Sequence, residues 1–299
     1  STRTASRRSD RMAEGAIGAA TDLAAKRAPI VDSRRIGRIA LLGAAAFGYA
    51  IILTPILFVC WLAFFAGEIP TFPPTGYSLR WFAHIFDQNN FVSGFITSLQ
   101  VGIAAMIGGL ILGVPASLVI ARRRFPGRET LNTLLLLPLV VPGIVAGTAI
   151  YVFQIEVELA TEWPLLGSLA GLVLAHIMIT IPWTVRLLTA SLIGFDRSIE
   201  EAAQNLGATS LQSFIKVTLP VIKPGVVAAA LFGFIISFGN LEMTLFLIAP
   251  GRTTLPIAIL QYLQWRIDPT IAAVSVLQIA LIAAGMLLTD RYVKLTRVL

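Results

Sequence analysis

Six stretches of this chain are each long enough and apolar enough to cross a bilayer as a helix. A hydrocarbon core about 30 Å thick needs about 20 consecutive, mostly apolar residues. Residues 38–66, 92–121, 131–155, 166–192, 222–249 and 270–289 meet that requirement. Of the 299 residues 56% are apolar and only 13% are charged, against roughly 25% charged in a soluble domain. So few charges cannot coat a globule of this size, which excludes an ordinary soluble enzyme and a disordered chain. The single cysteine, Cys60, excludes a disulfide-built module and reads as a core filler. Blocks of alternating polarity, the mark of a membrane barrel, are missing. The fold class expected is all-α, a polytopic helical membrane protein.

The net charge of +7 raises the question of nucleic acid, and the placement of the charges answers it. Twenty of the 23 Lys and Arg fall on one side of the expected spans: nine up to Arg38, then Arg122, Arg123, Arg124 and Arg128, then Arg186, Arg197, Lys216 and Lys223, then Arg291, Lys294 and Arg297. Arg80, Arg252 and Arg266 fall on the other. That bias is the positive-inside signal of a membrane protein with both termini cytoplasmic. The basic charge is topogenic, and no nucleic-acid partner is expected. Residues 1–35 read as a basic cytosolic tail with a weak helix near 12–27; Asp10, Glu14, Asp22 and Asp32 argue against an organelle transit peptide. Residues 36–299 form the membrane domain.

The most informative polar segment is 193–221, IGFDRSIEEAAQNLGATSLQSFIKVTLPV. Ser198 stands three residues before Glu201, a capping-box spacing. Ile199, Ala202, Ala203 and Leu206 then recur as one apolar helical face. Gly207 supplies a left-handed stop. Thr209 and Gln212 offer a second capping box, followed by the apolar Leu211, Phe214 and Ile215, and Leu219-Pro220 is expected to end that helix before the next span. Two short amphipathic helices either lie on lipid headgroups or dock in a groove of a partner protein. Spacing alone leaves both open.

Glu201-Ala202-Ala203, three residues, Gly207, nine residues, Val217, one residue and Leu219-Pro220 resemble the EAA signature of permease subunits of binding-protein-dependent ABC importers. The family prefers Ile where Val217 stands. The resemblance runs over about 91–290, the type I importer transmembrane domain. It implies that 193–221 is a coupling loop entering a cleft on an ATP-binding subunit. Ser198, Glu200, Glu201, Ala202, Ala203, Leu206, Gly207, Ala208, Leu211, Phe214, Val217, Leu219 and Pro220 are then its coupling residues. Glu201 would cap the first helix and meet a basic group of the ATPase, Ala202 and Ala203 would permit close approach, and Gly207 would allow the bend. The resemblance further implies a dimer of ABC ATP-binding subunits, a second homologous permease forming a heterodimer, and a periplasmic or lipid-anchored solute-binding protein. The whole would sit in the inner membrane of a bacterial or archaeal cell.

Within the chain no catalytic or metal-binding pattern stands out. There is no Walker A loop, GxSxG, HExxH or CxxC. No catalytic residue, metal site or cofactor is expected here, with ATP and Mg on the partner ATPase. His176 is mid-span and reads as an interhelical hydrogen bonder. An intramembrane enzyme lacks any constellation to support it, and an ATP-independent channel would have no use for the docking loop.

Ionisable groups inside spans are costly and mark pathways or partners. Glu242, placed by hydropathy in the fifth span beside Gly239-Asn240, reads as either a pathway anion or an interhelical partner. Asn240, Tyr151, Thr148 and Trp183 are the accompanying pathway candidates, with Gln100, Gln154, Thr180 and Gln278 weaker ones. Pro115, Pro138, Pro142 and Pro182 predict kinks. The segment from the fifth span through PGRTTLPIAILQYLQWRIDPT resembles the spermidine/putrescine-type subclass, which implies a polyamine or related amine. Phosphonate, ferric iron, opine and amino acid remain alternatives within the same importer class.

Overall fold

The computed structural model describes the backbone of residues 30–293 and the side chains of residues 37–291. The tail reading for 1–29, with its helix near 12–27, lies outside them. The chain divides into two compact units, Ser1–Phe58 and Val59–Leu299. Among the described residues all elements are helical except one isolated bridge between Phe65 and Tyr77. Six helices are long and apolar enough to cross a membrane: Gly37–Leu62, Asn89–Arg122, Gly143–Thr161, Leu169–Ile193, Ser210–Phe238 and Thr270–Arg291.

The elements in chain order are α1 (Ile30–Leu62), α2 (Arg80–Asp87), α3 (Asn89–Arg122), α4 (Arg128–Leu136), α5 (Gly143–Thr161), α6 (Leu169–Ile193), α7 (Ser198–Asn205), α8 (Ser210–Ser213), α9 (Leu219–Phe238), α10 (Leu255–Trp265) and α11 (Thr270–Val293). Helices α3, α6 and α9 pack most closely on one another and form the centre of the second unit. Membrane helices gain nothing from apolar contact alone, because lipid tails are equally apolar; small residues and interhelical hydrogen bonds bring them together. On α3, a Cβ added to Gly109 or Gly113 would collide with Thr180 or Thr184 of α6. The Thr180 hydroxyl donates to Ala105 O across that contact (3.0 Å). His176 of α6 is buried, with Nδ1 2.7 Å from Ser237 Oγ and Nε2 3.1 Å from Thr244 Oγ1. It is the interhelical hydrogen bonder expected from its position. Cys60 is half-buried.

Three boundaries differ from the hydropathy reading, each for a local reason. The third span, expected as 131–155, is broken. Helix α4 gives way to a 3₁₀ turn at Leu137–Leu139, and a new helix starts at Gly143 after Pro142. Pro138 and Pro142 lack the N–H that would continue the ladder. The new helix runs on to Thr161, so that residues 156–165, which carry Glu156, Glu158 and Glu162 and read by hydropathy as an outer loop, are helical as far as 161. Glu158 Oε2 accepts from Leu165 N–H (3.2 Å) and Leu166 N–H (3.1 Å), holding the turn that follows. The fifth span, expected to run to 249, stops at Phe238. A 3₁₀ turn (Thr244–Phe246) and the unforeseen helix α10 then fold back against α3, where Leu255 N–H donates to Ser98 Oγ (2.9 Å). Apolar content made 239–249 look like span; Gly239 and the hydrogen bonds of Asn240 end it.

Candidate functional site

The segment between α6 and α9 forms the two short helices that its spacing suggests, with one cap as expected and one not. At the second helix Thr209 Oγ1 accepts from Gln212 N–H (3.2 Å) and Gln212 Oε1 accepts from Thr209 N–H (3.0 Å), a complete capping box. At the first helix the expected Ser198–Glu201 box does not form. Residue 197 already has helical backbone angles, so Ser198 is inside the helix and cannot cap it. Asp196 does that work: its Oδ1 accepts from Ser198 N–H (2.9 Å), and the same bond holds the Asp196 carboxyl below its ordinary range. Glu201 is exposed and lies 3.5 Å from Arg197 Nε.

Gly207 joins the helices at φ +93°, with open space where a side chain would stand. Only backbone conformation demands glycine here. Leu219-Pro220 does not end the second helix. A π-helical stretch, Phe214–Thr218, carries it directly into α9, with Pro220 in the first turn where its missing N–H costs nothing. The second helix is therefore continuous with the fifth span.

Burial in α7 is inverted. Ile199 is 50% exposed and Leu206 90%, while the helix's buried side chain is a glutamate, Glu200. Arg122 Nη1, at the end of α3, donates to Glu200 Oε1 (2.7 Å), and the Thr218 hydroxyl donates to the same oxygen. Arg122 Nη2 also reaches Thr218 Oγ1 at 3.5 Å. A buried carboxylate is tolerable only when paired and hydrogen-bonded in this way. Ala202 and Leu211 are exposed; Ala203, Ala208, Phe214, Val217 and Leu219 are half-buried and Pro220 exposed. The apolar residues Ile199, Leu206, Leu211 and Ile215 are exposed. Arg122, Thr218 and Asp196 escaped the sequence reading. Only Asp196, two residues before Ser198, carried a recognisable turn signal.

A second feature lies between the broken third span and the end of the fifth. Glu242 sits just past α9 in the turn before Thr244, exposed, and not within a span helix as hydropathy suggested. Its carboxylate lies against Gly143, the first residue of α5: a Cβ there would collide with it. Gly147, one turn on, faces Met243 and Phe246. First-turn N–H groups have no intrahelical acceptor, so the start of α5 presents a partial positive charge to this carboxylate. Asn240 holds the turn, its Oδ1 accepting from Thr244 N–H (3.2 Å) and its backbone O from the Thr244 hydroxyl (3.0 Å). Thr148 and Tyr151 are exposed on the same α5, with the Thr148 hydroxyl donating to Ile144 O (2.9 Å). The structure thus groups Glu242 and Asn240 with the helix bearing Thr148 and Tyr151. Trp183 is elsewhere, stacked on Phe232 of α9 with centroids 5.7 Å apart.

Comparison with known proteins places this arrangement. Residues 109–297 match the family described as binding-protein-dependent transport system inner membrane component. The chain is 29% identical to the putrescine transport system permease protein PotI of Escherichia coli (strain K12), over 77% of this chain and 82% of the relative. It is 26% identical to the spermidine/putrescine permease PotC of Haemophilus influenzae (72% and 83%) and 30% identical to the molybdenum permease ModB of E. coli K12 (68% and 93%). Among solved structures, a bacterial ABC transporter that imports the acidic polysaccharide alginate shares the fold with a TM-score of 0.69 at 16% identity, covering 89% of this chain and 99% of that one. The MetNI methionine ABC transporter shares it at 0.57 and 23% identity (68% and 94%). Six membrane-crossing helices, the Glu201-Ala202-Ala203…Gly207 loop and the family match over most of the chain agree: the chain belongs to the binding-protein-dependent transport system inner membrane components, the permease subunits of ABC importers.

Proposed function

We propose that this permease subunit forms the pathway for a polyamine or related small amine and carries the lever that couples it to ATP hydrolysis on a separate subunit. The observation that carries the substrate reading is Glu242, an exposed carboxylate at the facing breaks of the third and fifth spans. Broken helices near the midplane are where transporters place binding groups, and a carboxylate there favours a cation. The PotI and PotC relatives support the same class; the molybdenum permease shows that relatives of similar identity serve other solutes.

In this reading both termini are cytoplasmic, and residues 193–221 dock on a pair of ATP-binding subunits, which hold ATP and Mg. Ser198, Glu200, Glu201, Ala202, Ala203, Leu206, Gly207, Ala208, Leu211, Phe214, Val217, Leu219 and Pro220 make up the coupling loop. A second, homologous permease completes the pathway, and a solute-binding protein delivers substrate from outside. ATP binding brings the nucleotide-binding subunits together. The loop, continuous with α9, transmits that motion to Asn240 and Glu242 at the far end of the same helix. Hydrolysis resets the lever.

The test is solute-stimulated ATP hydrolysis by the reconstituted complex with its binding protein, across amines, phosphonate, ferric iron and amino acids. Putrescine or spermidine should stimulate the wild type. Glu242→Gln should assemble normally and lose roughly tenfold in apparent affinity for the amine, about 1.4 kcal/mol for one lost charge contact. Stimulation by an anion, with Glu242→Gln unchanged, would overturn the amine reading and leave the importer class intact.

A further inference from the structure

Between the ends of α3 and α6, beside the coupling loop, lies a cavity of about 460 Å³. Five of its lining residues are arginines, Arg122, Arg123, Arg124, Arg128 and Arg197, and none is acidic. Three of the five are engaged: Arg122 with Glu200, Arg197 with Glu201 and Arg128 Nε with Ile120 O (2.7 Å). Arg123 and Arg124 are exposed, and neither guanidinium has a hydrogen-bond or ion-pair partner among the described residues. The remaining wall is apolar, formed by Ala121, Leu192, Ile193 and Phe195, with Ile193 78% exposed at the last turn of its span.

We infer that this cavity is a binding site for the phosphate headgroup of an anionic phospholipid. Positive-inside charge alone needs arginines near the interface, not five around one cavity, where Glu200, Glu201 and Glu129 meet three of them and leave Arg123 and Arg124 without a counter-charge among the described residues. Like charges gathered this closely repel, and an anion between them relieves the repulsion. Guanidinium groups suit phosphate oxygens through paired N–H donors. The apolar part of the wall separates a lipid from free phosphate. It lies where two spans end, beside the arginines, so an acyl chain could continue along it from a headgroup held by them. Basic pockets between membrane helices on the cytoplasmic side are known headgroup sites. Arg122 and Arg197 touch both this cavity and the glutamates of the loop, so a bound headgroup shares two arginines with the lever. The inference holds whichever solute is transported.

The test is lipid retention by the purified complex, with its partner subunits, from mixed vesicles of phosphatidylglycerol and phosphatidylcholine, read by native mass spectrometry. Wild type should retain phosphatidylglycerol in preference. The double variant Arg123→Gln/Arg124→Gln should lose about twenty-five-fold of that preference, about fivefold for each guanidinium–phosphate hydrogen bond lost. Arg38→Gln/Arg291→Gln removes equal charge outside the cavity and should change nothing. Equal losses in both variants would reduce the effect to general charge attraction and overturn the site. Displacement of the lipid by millimolar inorganic phosphate would make the ligand free phosphate and overturn the lipid assignment. Retention by the permease alone but not by the whole complex would give the arginines to the ATPase interface, and would equally overturn it.

Discussion

Gly207→Asp is expected to leave the protein inserted and folded while abolishing solute-stimulated ATP hydrolysis. Position 207 has φ +93°, where a side chain strains the backbone by about 1–3 kcal/mol. Nothing stands within reach of an added Cβ, so the damage is conformational and local. The strain is relieved by rotating α7 against α8, which misaligns Leu206 and Leu211 on either side of the bend. A new charge also enters beside the exposed apolar Leu206 and Leu211. Misdocking by 1–3 kcal/mol lowers ATPase affinity by roughly 5- to 150-fold. Co-purification of the ATPase with the permease, together with transport in proteoliposomes, measures both effects. Normal co-purification and normal transport would show that the bend has no part in coupling.

Arg122→Ala is expected to damage the same loop from the inside. It leaves the Glu200 carboxylate, 6% exposed, with only the Thr218 hydroxyl and no counter-charge. Breaking a buried pair by removing one partner costs about 3–5 kcal/mol. The loop has few other ties, because the apolar residues of α7 face outward, so Glu200 should swing to solvent and free α7. Hydrogen exchange of 198–218 should accelerate at least a hundredfold, with the rest of α3 and α9 unchanged. The double variant Arg122→Ala/Glu200→Ala removes the orphaned charge and should recover part of that protection. If the double variant is as exposed as the single, the ion pair is not what holds the loop.

The fold was legible where burial by lipid dominates. Long apolar runs gave the spans, because crossing a bilayer is a constraint on every residue of a segment. It was less legible where one residue ends a helix. Pro138 and Pro142 were recognised as kinks, yet they split the third span outright. Phe246 and Leu247 are as apolar as any span residue, though Asn240 and Thr244 had already closed the helix with local hydrogen bonds. The loop's outward face was readable from the period of Ile199, Ala202 and Leu206. Its inward anchor was not, since Arg122 and Glu200 are 78 positions apart and nothing local marks a pair made across the fold. Ser198 had the right spacing for a cap and lost the role to Asp196, two residues earlier. Glu242 was singled out for a cost inside an apolar span that it does not bear, since it lies exposed just past the end of α9, and its neighbour Gly143 could come only from the tertiary contact of two broken helices.

Site-directed cross-linking of the loop to the ATP-binding subunit bears on all of this at once. Cys60 is the chain's single cysteine, so a Cys60→Ala background allows single cysteines at Leu206, Leu211 and, as a control, Thr161 at the opposite end of α5. Paired with cysteines across the ATPase surface in a transport-competent complex, positions 206 and 211 should cross-link in a nucleotide-dependent manner, and 161 should not. A working complex in which 206 and 211 never reach the ATPase, while another cytosolic segment does, would contradict the assignment of 193–221 as the coupling element.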